Sequence, residues 1–117
     1  MKLYLAIPYS HPDMKTKEAR FRAANIKAAE LMQQGHIVFS PISHSHPIAV
    51  QCGLPGTYDY WHEWNESFIG WCDEVWVLDV LGREDSIGVG REVEIAIALK
   101  KPVKVLAWLL EGKEDEK

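Results

Sequence analysis

The chain has 117 residues, of which 47% are hydrophobic and 26% are charged, and its formal net charge is −4. This length fits one domain, and the apolar content excludes disorder as the dominant state. The pI near 5.7 argues against a nucleic-acid polymer as a partner, because binding to a phosphate backbone needs an excess of basic side chains. A small anionic ligand needs only local donors and stays compatible with this charge.

Three features bear on where the protein works. No apolar run approaches the ~18 residues that a membrane span needs. The apolar part of the N-terminal segment is too short for a signal peptide. The two cysteines, Cys52 and Cys72, do not make a disulfide framework. We therefore expect a cytoplasmic protein with reduced thiols and no membrane partner.

Short apolar strands alternate with helical patterns along the chain. The first strand is an unbroken apolar run that Pro8 stops, which is typical of a strand buried on both faces. The patterns predict strands at 3–7, 36–39, 74–79 and 102–106, helices at 14–34, 58–71 and 89–100, and a long loop at 40–57. This order is typical of an α/β domain with a parallel sheet covered on both sides. We expect one domain over residues 1–110, followed by a charged, frayed tail at 111–117.

Polar residues are concentrated where these strands end. In parallel sheets, ligands bind beyond the carboxyl ends of the strands, where the strand order reverses. The most informative of these segments runs from Ser86 through Gly88 and Gly90 into a predicted helix. Free N–H groups and the helix dipole favour an anion there. The alternative interpretation is that Ser86 only caps the helix.

The predicted helix carries two glutamates on opposite sides. At 100° per residue, Glu92 falls on the apolar arc and Glu94 falls on the polar one. A core-facing carboxylate costs several kcal/mol if it is unpaired. Burial would raise its pKa and the helix N-terminus would lower it. Glu92 could attack an anomeric carbon or stabilise an oxocarbenium ion. The alternative interpretation is a structural carboxylate bonded to backbone N–H groups of a nearby loop.

Four segments in this order carry a family resemblance. They are LYLAIPYS at 3–10, FSPISH at 39–44, CDEVWVL at 72–78, and SIGVGREVEIAIALKKPV at 86–103. Together they resemble the nucleoside 2-deoxyribosyltransferase-like superfamily, which includes the nucleoside 5'-monophosphate N-glycosidases. The most similar branch is that of the DUF1937-type proteins. The resemblance covers about residues 2–106.

The resemblance implies a flavodoxin-like, three-layer fold with a parallel sheet of four to five strands. It implies that Glu92 is the nucleophile at C1', and that Ser86 binds a 5'-phosphate together with the amides of Gly88 to Gly90. The loop Pro8-Tyr9-Ser10 would lie over the sugar or the base. Family members are dimers or larger, so we expect a homodimer or higher homo-oligomer. We expect no metal and no cofactor.

Two positions depart from the pattern of the family. Ile7 stands where a glycine is usual after the first strand. Asn65 stands where an aspartate usually assists the leaving base, and an amide cannot exchange a proton as a carboxylate does. Glu63, Glu66 or Asp79 could take over this task, or the activity is altered or absent.

Aromatic and histidine side chains leave further alternatives open. Trp61 and Trp64 could stack on a base or form a subunit contact, whereas Phe68 and Trp71 are better explained by core packing. His44 and His46, with Cys52 and His62, are of types that a zinc ion accepts. Their spacing fits no closed zinc site. A Ser-Pro-x-x-His-x-His-Pro loop is usual in the branch that this chain resembles, which implies that His44 shapes the pocket or contacts a ligand.

The predicted function is cleavage or transfer at the N-glycosidic bond of a (deoxy)nucleoside or its 5'-monophosphate. Glu92 and Asn65 are the candidate catalytic residues. The candidate substrate-binding residues are Tyr9, Ser10, His44, Asp79, Ser86, Gly88 and Gly90. One alternative is a non-catalytic nucleotide-binding module, which the amide at Asn65 motivates. A second alternative is a zinc-dependent hydrolase or a zinc-stabilised domain.

Overall fold

The computed structural model describes residues 1–80 and 86–108. The elements in chain order are β1 (Lys2–Ala6), α1 (Met14–Gln33), β2 (Ile37–Phe39), α2 (Pro41–Cys52), α3 (Tyr58–Trp71), β3 (Glu74–Asp79), α4 (Ile87–Ala98) and β4 (Val103–Ala107). The predicted tail at 111–117 lies outside the described residues. No described helix is long and apolar enough to cross a membrane.

The four strands form one parallel sheet in the order β2-β1-β3-β4. On β1, Leu3 pairs with Val38 on one side and with Glu74 on the other. The strand order therefore reverses between β1 and β3, as in flavodoxin-like sheets. The predicted α/β fold with a parallel sheet is confirmed.

Helices cover both faces of the sheet. Leu3 and Leu5 pack with Ala24 and Ala28 of α1 on one face, whereas Tyr4 and Ala6 pack with residues of α3 and α4 on the other. Successive side chains of a strand point to opposite faces. Because helices cover both faces of the sheet, every side chain in the middle of β1 is buried. This explains why its sequence is an unbroken apolar run and does not alternate between apolar and polar residues. The fold therefore has three layers.

The predicted loop at 40–57 is wrong for most of its length, because residues 41–52 form α2. Pro41 occupies the first turn of this helix, where a missing N–H costs nothing. The buried side chains of α2 follow a helical spacing, namely Pro41, Ser45, His46 and Ala49. Pro47, two serines and two histidines hide this period in the sequence. Gly53 then ends the helix in a left-handed conformation, with φ of 70°.

Candidate functional site

A cavity of about 430 Å³ opens beyond the carboxyl ends of β1 and β3. Its volume is within the range of ~300–1,000 Å³ that small-molecule sites occupy. The lining comes from the segment after β1, from α2, from the start of α3 and from the first turns of α4. The cavity thus lies where the strand order reverses, which is where ligands of such sheets bind.

Glu92 lines this cavity although its residue surface is only 5% exposed. Its predicted place on the core-facing side of α4 is confirmed, and Glu94 is exposed as expected. Burial raises the pKa of Glu92 to about 7, and a hydrogen bond from Tyr4 opposes this rise. Of the effects weighed from the sequence, burial therefore prevails. The carboxyl can therefore take up or release its proton near neutral pH.

Tyr4 holds the Glu92 carboxylate in place. Its hydroxyl donates a hydrogen bond to Oε2 of Glu92, across 88 residues of chain. The pKa of Tyr4 lies well above its ordinary value because of burial and the nearby Glu92 charge, so the phenol stays a donor. Sequence reasoning took Tyr4 as part of an apolar run. The available signal was a tyrosine in a strand buried on both faces, whose hydroxyl needs a partner.

The start of α4 lies at the cavity wall. The helix begins at Ile87, two residues before its predicted start, because the Ser86 hydroxyl accepts a hydrogen bond from the Val89 N–H at 3.2 Å. Ser86 therefore acts as a cap, and both Ser86 and Gly88 line the cavity. Gly90 donates its N–H to the Ser86 carbonyl and lies outside the lining. Neither glycine has a positive φ.

A cationic side chain at the same wall was missed from the sequence. Arg91 lines the cavity, with its guanidinium 5.1 Å from the centre of the Tyr58 ring and 3.7 Å from the Asp59 carboxylate. The helical wheel places Arg91 on the polar arc with Glu94, and the residue is indeed exposed. It reaches the cavity mouth because α3 and α4 meet there.

Tyr9 and Ser10 line the cavity from the segment after β1, beside Ile7. The Tyr9 hydroxyl is hydrogen-bonded to Nδ1 of His46. The other ring nitrogen of His46 lies 2.6 Å from the Glu18 carboxylate. Burial and the Glu18 charge raise the pKa of Tyr9. The sequence analysis selects Tyr9 as a substrate-binding residue, considers His46 only as a metal ligand, and does not reach Glu18.

Asn65 and Trp61 line the cavity from α3. The Trp61 indole donates to the Pro55 carbonyl at 2.7 Å, which fixes its ring. Trp64 is 44% exposed and lies outside the lining. The lining also excludes Glu63, Glu66 and Asp79, the proposed substitutes for an aspartate at position 65, as far as the structure describes it. Asn65 is thus the amide that faces the cavity near Glu92.

Two further predicted residues lie elsewhere in the described ranges. Asp79 is exposed at the end of β3, and His44 is exposed on α2, with its ring near those of Phe39 and Trp61. For the zinc hypothesis, no three metal-ligating side chains come together within residues 1–80 and 86–108. Both ring nitrogens of His46 already have hydrogen-bond partners.

The cavity thus joins a buried carboxylate, a helix N-terminus and several hydroxyl groups. The carboxylate can act as a nucleophile toward an electrophilic carbon. The N-terminus of α4 and Arg91 can hold an anionic group. The aromatic side chains of Trp61 and Tyr58 line the same cavity and can contact a planar ligand at their edges.

Comparisons with known proteins agree with this fold. One solved structure is that of a 2-deoxyribosyltransferase from the psychrotolerant bacterium Bacillus psychrosaccharolyticus. It matches with a TM-score of 0.63 at 23% identity, over 92% of this chain and 72% of that one. No curated protein matches this sequence. A family model described as a domain of unknown function, DUF1937, matches residues 1–108. The resemblance to the DUF1937-type branch is confirmed, and the chain belongs to the DUF1937 family.

Proposed function

We propose that the protein cleaves or transfers the N-glycosidic bond of a (deoxy)nucleoside or its 5'-monophosphate. The observation that carries this proposal is the buried Glu92 carboxylate, which lines the cavity and is held by the Tyr4 hydroxyl. The shared fold with a 2-deoxyribosyltransferase supports the reaction class. A purely structural carboxylate would not need to face a cavity of about 430 Å³.

The proposed mechanism has two displacements at C1'. In the first, the ionised Glu92 attacks C1', and the base departs with the electrons of the glycosidic bond and gains a proton. In the second, water or another base attacks C1' and restores the carboxylate. Two inversions give net retention of configuration. Tyr4 engages Oε2 of Glu92, which keeps the carboxylate oriented while its other oxygen attacks. The reaction balances without a metal or cofactor.

Substrate binding is assigned to the groups that line the cavity. Ser86, Gly88 and the N-terminus of α4 would hold a 5'-phosphate, and Arg91 adds a positive charge beside them. Tyr9, Ser10 and Asn65 would contact the sugar and base from the other walls. His44, Asp79 and Gly90 lie outside the lining, so we assign them no contact with substrate.

A second candidate is a nucleotide-binding module without catalysis. Asn65 favours it, because this amide lies in the cavity wall and cannot supply a proton. A ligand that binds the folded state raises the melting temperature. A module of this kind would be stabilised by a nucleotide that it leaves intact.

A panel incubation tests the proposed function. The protein is mixed with the common ribo- and deoxyribonucleosides and their 5'-monophosphates, with and without a free acceptor base, and released base is measured by chromatography. We expect base release that Glu92→Gln abolishes. Glu94→Gln is the matched control, because Glu94 is exposed on the same helix. Acceptor dependence separates transfer from hydrolysis, and a substrate that binds but stays intact indicates the binding module.

A further inference from the structure

We propose that Tyr9 is the acid that protonates the departing base, and that His46 and Glu18 are positioning residues: His46 holds the Tyr9 hydroxyl and replaces the proton that it gives, and Glu18 holds His46. This inference rests on the proposed function, since it supplies a step which that reaction needs. It assigns a task to three residues from three separate segments. Of these, only Tyr9 touches the cavity.

The three side chains form a continuous chain of hydrogen bonds from the cavity to the protein surface. The Tyr9 hydroxyl meets Nδ1 of His46, and Nε2 of His46 lies 2.6 Å from Oε2 of Glu18. The His46 side chain is only 3% exposed, whereas that of Glu18 is 40% exposed. The Tyr9 hydroxyl is therefore linked to a ring that is shielded from water and, through that ring, to a carboxylate at the surface.

Packing holds this chain in one geometry. The His46 ring lies 4.4 Å from the Phe21 ring, centre to centre, and the Tyr9 ring meets it edge-on at 5.4 Å. The Lys17 ammonium lies 5.5 Å from the centre of the Tyr9 ring. Packing alone would require only that the His46 ring fill space. Hydrogen bonds on both of its nitrogens, to a phenol in the cavity and to a carboxylate at the surface, indicate a further role.

The reaction needs such an acid because Asn65 cannot provide the proton. A base that leaves as an anion is a poor leaving group, and a positioned acid typically contributes 10²–10⁴-fold. Ser10, Ser45, Thr57 and Ser86 also line the cavity, but aliphatic hydroxyls are far weaker acids than a phenol. The Asp59 carboxylate lies at the cavity mouth as well, but its side chain is 89% exposed and is paired with Arg91 at 3.7 Å. The other phenol in the lining is Tyr58, whose ring stacks on Arg91. Only the Tyr9 phenol is bonded to a histidine in the described structure.

Atoms and charge balance in the proposed proton transfer. With His46 as imidazolium, Nδ1–H donates to the Tyr9 oxygen and Nε2–H donates to Glu18. The Tyr9 hydroxyl gives its proton to a nitrogen of the base as the bond to C1' breaks. Tyr9 takes the Nδ1 proton at the same time, which leaves His46 neutral. In the second displacement the attacking water or base gives a proton to the Tyr9 oxygen while the Tyr9 hydroxyl proton moves to Nδ1, which restores the imidazolium. No electron acceptor or donor is required.

Leaving-group dependence tests this assignment. The ordinary substrate is the purine nucleoside or 5'-monophosphate that the wild type cleaves fastest. The activated substrate is its N7-methylated counterpart, whose cationic base departs without a proton. If only pyrimidine substrates are cleaved, the activated substrate is the 4-nitrophenyl glycoside of the same sugar. The ratio of the two kcat/KM values reports protonation of the leaving group.

We expect Tyr9→Phe to lower kcat/KM for the ordinary substrate by about 100-fold or more, and for the activated substrate by less than about 5-fold. Glu18→Gln should change the ratio in the same direction by a smaller factor, and its partly exposed position favours a folded variant. Tyr60→Phe and Glu30→Gln are matched controls, because both residues are exposed and lie outside the cavity. Both should leave the ratio unchanged.

Three results would overturn the assignment. Tyr9→Phe could lose the same factor in kcat/KM on both substrates, or it could lose nothing on either. The wild type could also cleave the ordinary substrate but not the activated one. In each of these cases Glu92-dependent cleavage by the wild type would leave the proposed function standing. A wild type that cleaves neither substrate contradicts the proposed function itself, and the assignment fails with it.

Discussion

Glu92 is a carboxyl group in a place where folding alone would favour an apolar side chain. It is buried among residues of β1 and α4, and one phenol is its described hydrogen-bond donor. Burial makes ionisation costly and raises the pKa of Glu92 to about 7 although the Tyr4 hydrogen bond lowers it. Such a carboxyl group is a candidate for catalysis because it is poorly solvated and its pKa lies near neutral pH.

The burial of Glu92 also predicts that the ionised form, which the reaction needs, makes the folded protein less stable. The folded state holds the Glu92 proton more tightly than the unfolded state, so the free energy of unfolding falls as pH rises from about 4.5 through about 7. Glu92→Gln cannot ionise, so its free energy of unfolding should not fall in this way, and its amide oxygen can still accept the hydrogen bond from Tyr4. At pH 8 the variant should be more stable than the wild type by up to roughly 3 kcal/mol.

Urea unfolding at pH 4 and pH 8 measures this difference. The two proteins should differ little at pH 4, where the Glu92 carboxyl is protonated in both states. A variant that is less stable than the wild type at pH 8 would contradict a costly ionisation of Glu92. Glu94→Gln, on the exposed side of α4, should show no such dependence on pH.

The ionisation of Glu92 also predicts how the rate depends on pH. The nucleophile must be ionised, so kcat/KM should rise with pH through about 7. Tyr4→Phe removes the hydrogen bond that lowers the pKa of Glu92, so the rising limb should move to higher pH. A pH–rate profile of each protein checks this. An unmoved limb in Tyr4→Phe, or a shift of equal size in Tyr60→Phe, would exclude the proposed link.

Sequence reasoning reached some of these residues and not others for a physical reason. A helical wheel places Glu92 on the buried arc because helix periodicity is local. The contacts of Glu92 with Tyr4, of Tyr9 with His46 and of His46 with Glu18 join residues that are 88, 37 and 28 positions apart. No periodicity connects such pairs, so their partners became visible only in the fold.

At the scale of helices and strands, the apolar residues predicted an element correctly wherever their spacing followed a single helical or strand period without interruption. They predicted β1, α1, α3 and β3 to within about two residues. They failed at α2, whose prolines and serines are typical of loops although its buried side chains have helical spacing. The burial of Ser45 and His46 against the rest of the protein outweighs the low helix propensity of this segment. The family resemblance, rather than any period, implied a flavodoxin-like sheet.

Two glycines at helix ends should respond oppositely to alanine. Gly53 adopts φ of 70° after α2, a conformation that an L side chain rarely takes, so Gly53→Ala should cost about 1 kcal/mol. Gly70 is helical within α3 with open space around it, so Gly70→Ala should gain up to about 1 kcal/mol. Urea unfolding of both variants checks the pair. Changes of the same sign would contradict the end of α2 at Gly53 or the helical conformation of Gly70.

Ser86 separates the capping role from the ligand-binding role at the start of α4. Loss of the hydrogen bond to the Val89 N–H should make Ser86→Ala less stable by about 1 kcal/mol. If Ser86 also binds a 5'-phosphate, KM should rise about tenfold for a monophosphate and stay nearly constant for the nucleoside. Steady-state kinetics with both substrates tests this. Equal changes in the two KM values would leave Ser86 a cap only.

At the scale of the whole molecule, topology explains why the cavity lies where it does. Parallel strands bring their carboxyl ends to one edge, and the reversal between β1 and β3 sends α1 and α4 to opposite faces. The segments after β1 and β3 therefore diverge and leave a cleft. The predicted homo-oligomer stays a prediction. Exposed apolar side chains on α4 and β4, such as Ile97 and Val105, are where we would look for its interface.

The central claim is that Glu92 forms a covalent bond to the sugar. The most direct measurement is peptide mass spectrometry of the protein after incubation with a 2-fluoro analogue of a cleaved nucleoside, because the fluorine slows breakdown of the intermediate. We predict a sugar ester on Glu92 and no adduct in Glu92→Gln. An adduct on another residue, or base release that persists undiminished in Glu92→Gln, would contradict the claim.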